Sequence, residues 1–154
     1  LYLMRHGKAE PASTDSRRPL SHFGLAQVRA TADLARAGGR FVEIPAEILH
    51  SSKDRARQTA RVLGGCLGWP SPLREHPGLD PDADPAPFLA ELNADPRCLA
   101  VVGHLPFLPH LAGMILGGKV PSFGEATLRC LENSRRGWKE IWSVEPKVEN
   151  PRKS

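Results

Sequence analysis

The chain opens with Leu1-Tyr2-Leu3-Met4-Arg5-His6-Gly7, an unbroken run of mainly apolar residues that ends in a cation, an imidazole and a glycine. A short run without polar alternation fits a strand buried on both faces, the kind that parallel sheets contain. Gly7 then releases the chain into a loop, so the strand stops where chemically able side chains begin.

The segments that follow alternate in type. After a polar loop through Pro11, Ser13, Asp15 and Ser16, residues 21–37 carry Phe23, Leu25, Val28, Ala32, Leu34 and Ala35 at helical spacing. Ser21 is the expected N-cap and Gly38-Gly39 the stop. Residues 44–49 predict a second strand, and residues 54–67 a second helix with an apolar face at Ala56, Ala60, Leu63 and Leu67. The proline-rich stretch 70–87 reads as irregular, followed by a short helix over 87–93. A buried strand is expected at 99–102, a helix at 107–116, and a hairpin of two strands, 126–131 and 138–144.

Such alternation predicts an α/β fold, three-layer α/β/α, with a mostly parallel sheet and helices on both faces. Residues 1–145 are expected to form one domain, and the charged, proline-containing residues 146–154 a loose tail.

The 154 residues can bury one core of ordinary size, and no apolar run approaches the ~20 residues of a membrane helix. The net charge of +4 is scattered, without a basic stripe or interleaved aromatics, which argues against nucleic acid and for a mild attraction to anions. Cys66, Cys98 and Cys130 are far apart in sequence and form no ligand pair, as expected of reduced thiols in the cytoplasm. His22, His50, His76 and His110 show no helical H-x-x-x-H spacing, so neither a metal nor another cofactor is expected. The chain begins within a strand and without an initiator Met, so preceding residues are expected; targeting and oligomeric state stay open, a monomer being compatible.

Ligands of open parallel sheets bind outside the C-terminal ends of the strands. His6 follows the first strand, His104 follows the 99–102 strand, and Arg55 lies just beyond the second strand in Leu49-His50-Ser51-Ser52-Lys53-Asp54-Arg55. With Arg5, two imidazoles and two guanidiniums would converge on one place. A phosphoryl group suits that set, because arginine binds its oxygens bidentately and stays charged. A neutral His6 could attack phosphorus in line, its pKa lowered by the arginines, while a charged His104 steadies the equatorial oxygens. Gly7 would let the backbone approach the His6 ring, and a carbonyl there could hold the other ring N–H.

Arg5-His6-Gly7 after the first strand, Ser52-Lys53-Asp54-Arg55-Ala56-Arg57-Gln58-Thr59-Ala60 after the second and Val102-Gly103-His104 after a later one resemble the histidine phosphatase superfamily, also called phosphoglycerate mutase-like. Arg18-Pro19-Leu20-Ser21 and Gly103-His104-Leu105-Pro106 are similar in particular to the small bacterial phosphohistidine phosphatases. The resemblance runs from Leu1 to about Leu116. It implies His6 as phosphoryl acceptor, with Arg5, Gly7, Arg55 and His104 binding the transferred group.

Relatives that act on phosphate esters tend to carry a general acid between the Arg55 helix and the His104 strand. Glu75 is the candidate, with Asp80, Asp82 and Asp84 behind it. Imidazole leaves more easily than an alkoxide, so phosphohistidine on a protein partner is the expected substrate even without an acid. A small-molecule phosphomonoesterase, less readily a mutase, and a non-catalytic phosphate-binding module are the alternatives.

Overall fold

A computed structural model describes residues 1–12, 14–39 and 43–149. Ser13 and most of the tail expected over 146–154 therefore lie outside the described residues.

The opening run forms β1 (Tyr2–Arg5). It is followed by a single 3-10 turn at Asp15–Arg17 and by α1 (His22–Ala37). Ser21 caps α1 as expected: its hydroxyl accepts the Gly24 N–H and donates to the Lys8 carbonyl, which ties the helix to the loop after β1.

Next come β2 (Glu47–His50) and α2 (Asp54–Leu67), the latter ended by Gly68 in the left-handed conformation, φ 65°. β2 starts three residues later than expected, because Pro45 has no N–H for a ladder. The stretch expected to be irregular holds a short strand, β3 (Leu73–Glu75), exposed throughout and paired only with β2. α3 (Pro85–Ala94) begins two residues earlier than expected, with Asp84 as N-cap and Pro85 in its first turn. β4 (Leu99–Gly103), α4 (Phe107–Ile115), β5 (Leu128–Ser134) and β6 (Gly137–Val144) complete the chain.

The six strands form one sheet in the order β3-β2-β4-β1-β5-β6. The first four are parallel, whereas β5 and β6 form the expected hairpin and β5 joins β1 antiparallel. Side chains that alternate along the strands feed two cores. Tyr2, Met4, Ile48, Ala100 and Val102 pack with Val28 and Ala32 of α1 and with Ala56, Ala60 and Leu63 of α2. Leu3, Leu49 and Val101 pack on the other face with Phe88 of α3 and with Phe107, Leu108 and Leu111 of α4.

This three-layer arrangement sends the C-terminal ends of β1, β2 and β4 to one edge of the sheet. The start of β5 reaches the same edge: the Arg5 N–H donates to the Thr127 carbonyl, and the Ala126 N–H donates to the His6 carbonyl. Among the described residues no helix is long and apolar enough to cross a membrane.

Candidate active site

At that edge His6 emerges from β1 with its backbone held on both sides, by the Gly103 carbonyl and the Ala126 N–H. Its ring Nδ1 lies 2.6 Å from the Gly7 carbonyl oxygen. A carbonyl only accepts, so Nδ1 carries the proton and Nε2 of the neutral ring keeps its lone pair. The Nε of Arg55 lies 3.4 Å from that Nε2.

The Gly7 carbonyl thus holds the ring N–H as expected, and the absence of a side chain at Gly7 serves a second contact as well. A Cβ there would come within 2.7 Å of the Gly24 carbonyl oxygen, and one on Gly24 within 2.1 Å of the Lys8 carbonyl oxygen. The missing side chains allow the loop after β1 to cross the first turn of α1 at backbone contact. Thr59 adds to this junction, accepting the Gly7 N–H and donating to the Arg55 carbonyl.

The His104 ring lies 4.9 Å from that of His6, centroid to centroid. His104 is buried, and its Nε2 is 2.5 Å from the hydroxyl of Ser51, which is itself fully buried. Ser51 also accepts the Lys53 N–H, so its hydroxyl ties the His104 ring to the start of α2. His104 Nδ1 and Arg5 Nε are buried without a hydrogen-bond partner among the described residues. Arg5 donates from Nη1 to the Phe123 carbonyl at 3.0 Å.

Burial lowers the pKa of His6 to about 4; its hydrogen bond to Gly7 opposes this, and Arg55, Arg5 and Arg18 add to it. The arginines thus act in the expected direction but are secondary to desolvation. Burial, then His6 and Arg55, lower His104 to about 3. The expectation of a charged His104 is therefore corrected for the free protein: both rings are neutral at pH 7.

Glu75 is not brought into the cluster. It ends β3 at the same edge of the sheet, exposed, and among the described residues no hydrogen bond or ion pair engages its side chain. β2 and β4 stand between it and β1, a lateral separation of ~14 Å at usual strand spacing. Asp80 is committed to Ser52, accepting its N–H at 3.0 Å and its hydroxyl at 2.8 Å. Asp84 caps α3. Of the other motif arginines, Arg57 pairs with Asp54, while Arg18 donates to the Glu10 carbonyl.

Two residues of the site were given no role by the sequence. Ser51 touches His104 and carried only one signal, its place directly after β2. Asp15 lies in a loop remote in sequence, yet its backbone carbonyl accepts from Arg55 Nη1 at 2.8 Å and its carboxylate lies 3.4 Å from Arg55 Nη2 and 3.3 Å from Lys53 Nζ. Nothing local marks it.

The profile of the histidine phosphatase superfamily (branch 1) matches residues 1–80. The phosphohistidine phosphatase SixA of Escherichia coli K12 is 34% identical over 126 residues, covering 79% of this chain and 76% of its own. A structure of the protein histidine phosphatase SixA complexed with tungstate superposes with a TM-score of 0.82 at 28% identity, over 94% of this chain and 96% of that one. A mycobacterial glucosyl-3-phosphoglycerate phosphatase shares the fold, with a TM-score of 0.65 at 19% identity over 91% of this chain and 95% of that one. With the motifs at their three strand ends, these likenesses place the chain in the histidine phosphatase superfamily.

Proposed function

We propose that the chain is a metal-independent phosphatase that takes the phosphoryl group onto His6 and acts on phosphohistidine in a protein partner. The observation that carries this is the His6 ring: the Gly7 carbonyl fixes its proton on Nδ1, and Nε2 faces the Arg55 guanidinium. Identity of 34% to a phosphohistidine phosphatase supports the substrate class.

In the first step the Nε2 lone pair forms a bond to phosphorus while the bond to the leaving nitrogen breaks. The leaving imidazole, protonated on its other nitrogen, departs neutral and needs no acid. Arg5, Arg55 and His104 hold the three equatorial oxygens, the two guanidiniums offsetting their charge and the neutral His104 ring contributing a hydrogen bond. Water then attacks phosphohistidine at position 6, inorganic phosphate leaves, and Nε2 regains its lone pair. Of the expected candidates for an acid, Glu75 stands ~14 Å away and Asp80 and Asp84 are committed elsewhere, which favours this leaving group over an alkoxide.

We take residues 1–145, which contribute every strand of the one sheet, as a single domain. Free Cys66, Cys98 and Cys130 support a cytoplasmic location.

The test is release of phosphate from a labelled phosphohistidine protein. Loss of release in His6→Ala, with label trapped on His6 in the wild type after rapid quenching, is expected. Full activity in His6→Ala would remove the mechanism. Faster turnover of alkyl phosphates than of phosphohistidine, still requiring His6, would move the substrate to small esters.

A further inference from the structure

His6, Arg55 and His104 are each more than nine-tenths buried. The donors that a phosphoryl group would need on Arg55 are already taken. The group that lies on Arg55 from outside the cluster is Asp15, in the 3-10 turn Asp15–Arg17 between β1 and α1.

The contacts of Asp15 copy those of an anionic ligand. The Arg55 guanidinium has three donor nitrogens, and Asp15 engages two of them: Nη1 through its backbone carbonyl and Nη2 through its carboxylate. The third, Nε, faces the nucleophilic nitrogen of His6. The second carboxylate oxygen of Asp15 takes Lys53 Nζ at 3.3 Å, and Arg18 stands 3.8 Å from the first. A phosphoryl group on its way to His6 needs the same forked donors, since bidentate binding to arginine uses two parallel N–H groups. A dianion and the Asp15 carboxylate side by side on one guanidinium would repel each other.

We propose that Asp15 is an internal competitor for the phosphoryl site, occupying Arg55 and Lys53 until a phosphoryl dianion displaces it. This rests on the reading of the cluster as a phosphoryl site and adds to it a residue that sets affinity and selectivity. An anion that is only singly charged gains too little from Arg55 and Lys53 to expel a carboxylate already there. A general acid role for Asp15 is the less suitable one: burial works against its charge, but Arg55 and Lys53 outweigh it and keep the carboxyl ionised. The turn is also suited to movement, because more than half of the Asp15 side chain is exposed and, among the described residues, the turn closes through the Arg17 N–H to Thr14 and Arg18 N–H to Asp15 carbonyl bonds.

The experiment uses inorganic phosphate as ligand and calorimetry as readout, on wild type, Asp15→Asn and Asp54→Asn. Asp54 is the charge control: it also lies in the first turn of α2 but pairs with Arg57 at 3.0 Å. Asp15→Asn should tighten phosphate binding about 3- to 10-fold, as expected when the competent fraction of the free protein rises, whereas Asp54→Asn should change it less than about 2-fold. In the wild type, saturating phosphate should raise hydrogen exchange over residues 15–18. Equal or weaker phosphate binding by Asp15→Asn, an equal gain in Asp54→Asn, or protection of residues 15–18 by phosphate would each overturn the inference. Because phosphate binding is read without turnover, tighter binding with no phosphohistidine hydrolysis would keep this inference and remove the proposed function. His6-dependent hydrolysis with unchanged affinity in Asp15→Asn would do the reverse.

Discussion

Arg55 Nε and His6 Nε2 lie 3.4 Å apart, a cation beside the lone pair that the Gly7 carbonyl keeps free by holding the opposite nitrogen's proton. His6 follows the end of β1, Arg55 lies in the first turn of α2, and the two are 49 positions apart in sequence. Their approach is what makes a phosphoryl reading of the cluster chemical rather than only motif-based.

Arg55→Lys should therefore be severe although charge is kept. An ammonium offers no fork and cannot face His6 and the turn at Asp15 together. Loss of one such donor set from a transition-state site costs about 10²- to 10³-fold in kcat. Steady-state kinetics on a phosphohistidine protein checks this, and retention of more than about a tenth of wild-type kcat would contradict the role given to the fork.

Stability should fall with pH in a window set by two buried histidines. The unfolded chain takes up protons at His6 and His104 below the ordinary value of ~6.5. The folded chain does so only near pH 4 and pH 3. The unfolded state thus binds more protons between these limits, and the contribution is full above ~6.5 and lost as pH falls toward 4. Thermal melts of wild type should show Tm dropping across this window, and His104→Gln should flatten the slope.

Gly24→Ala should destabilise the fold more than Gly65→Ala, although both glycines lie within helices. The added methyl meets the Lys8 backbone at 2.1 Å in the first case and nothing within 4 Å in the second. Overpacking of this kind costs about 1–3 kcal/mol, and replacing glycine by alanine in an open helical position gains up to about 1 kcal/mol. Denaturant unfolding of the two variants should give opposite signs.

Glu75→Gln should leave phosphohistidine turnover within about twofold of wild type, as for an exposed side chain without partners among the described residues. A large fall in kcat on any phosphate ester, with phosphohistidine turnover intact, would instead bring Glu75 into the site during catalysis.

Much of this was legible in the chain itself. Helices α1 and α2 announced themselves through apolar spacing, the Ser21 cap and the terminal glycines, because those signals are local. The buried strands β1 and β4 were equally plain, since strands covered on both faces have unbroken apolar sequences. β3 was not, for it is three exposed residues whose only support is the ladder to β2. His6, Arg55 and His104 could be singled out because parallel strands deliver their C-terminal ends to one edge.

What the sequence determined by itself was the set of elements and the identity of the groups at three strand ends, since propensity, period and motif are properties of neighbouring residues. The tertiary structure alone decided the strand order that places β4 beside β1, the burial that keeps His6 and His104 neutral, and the contact of Ser51 with His104. It alone set Asp15 on Arg55, 40 positions away. Desolvation and charge pairing depend on what the folded chain brings together in space, and no window of adjacent residues contains that information.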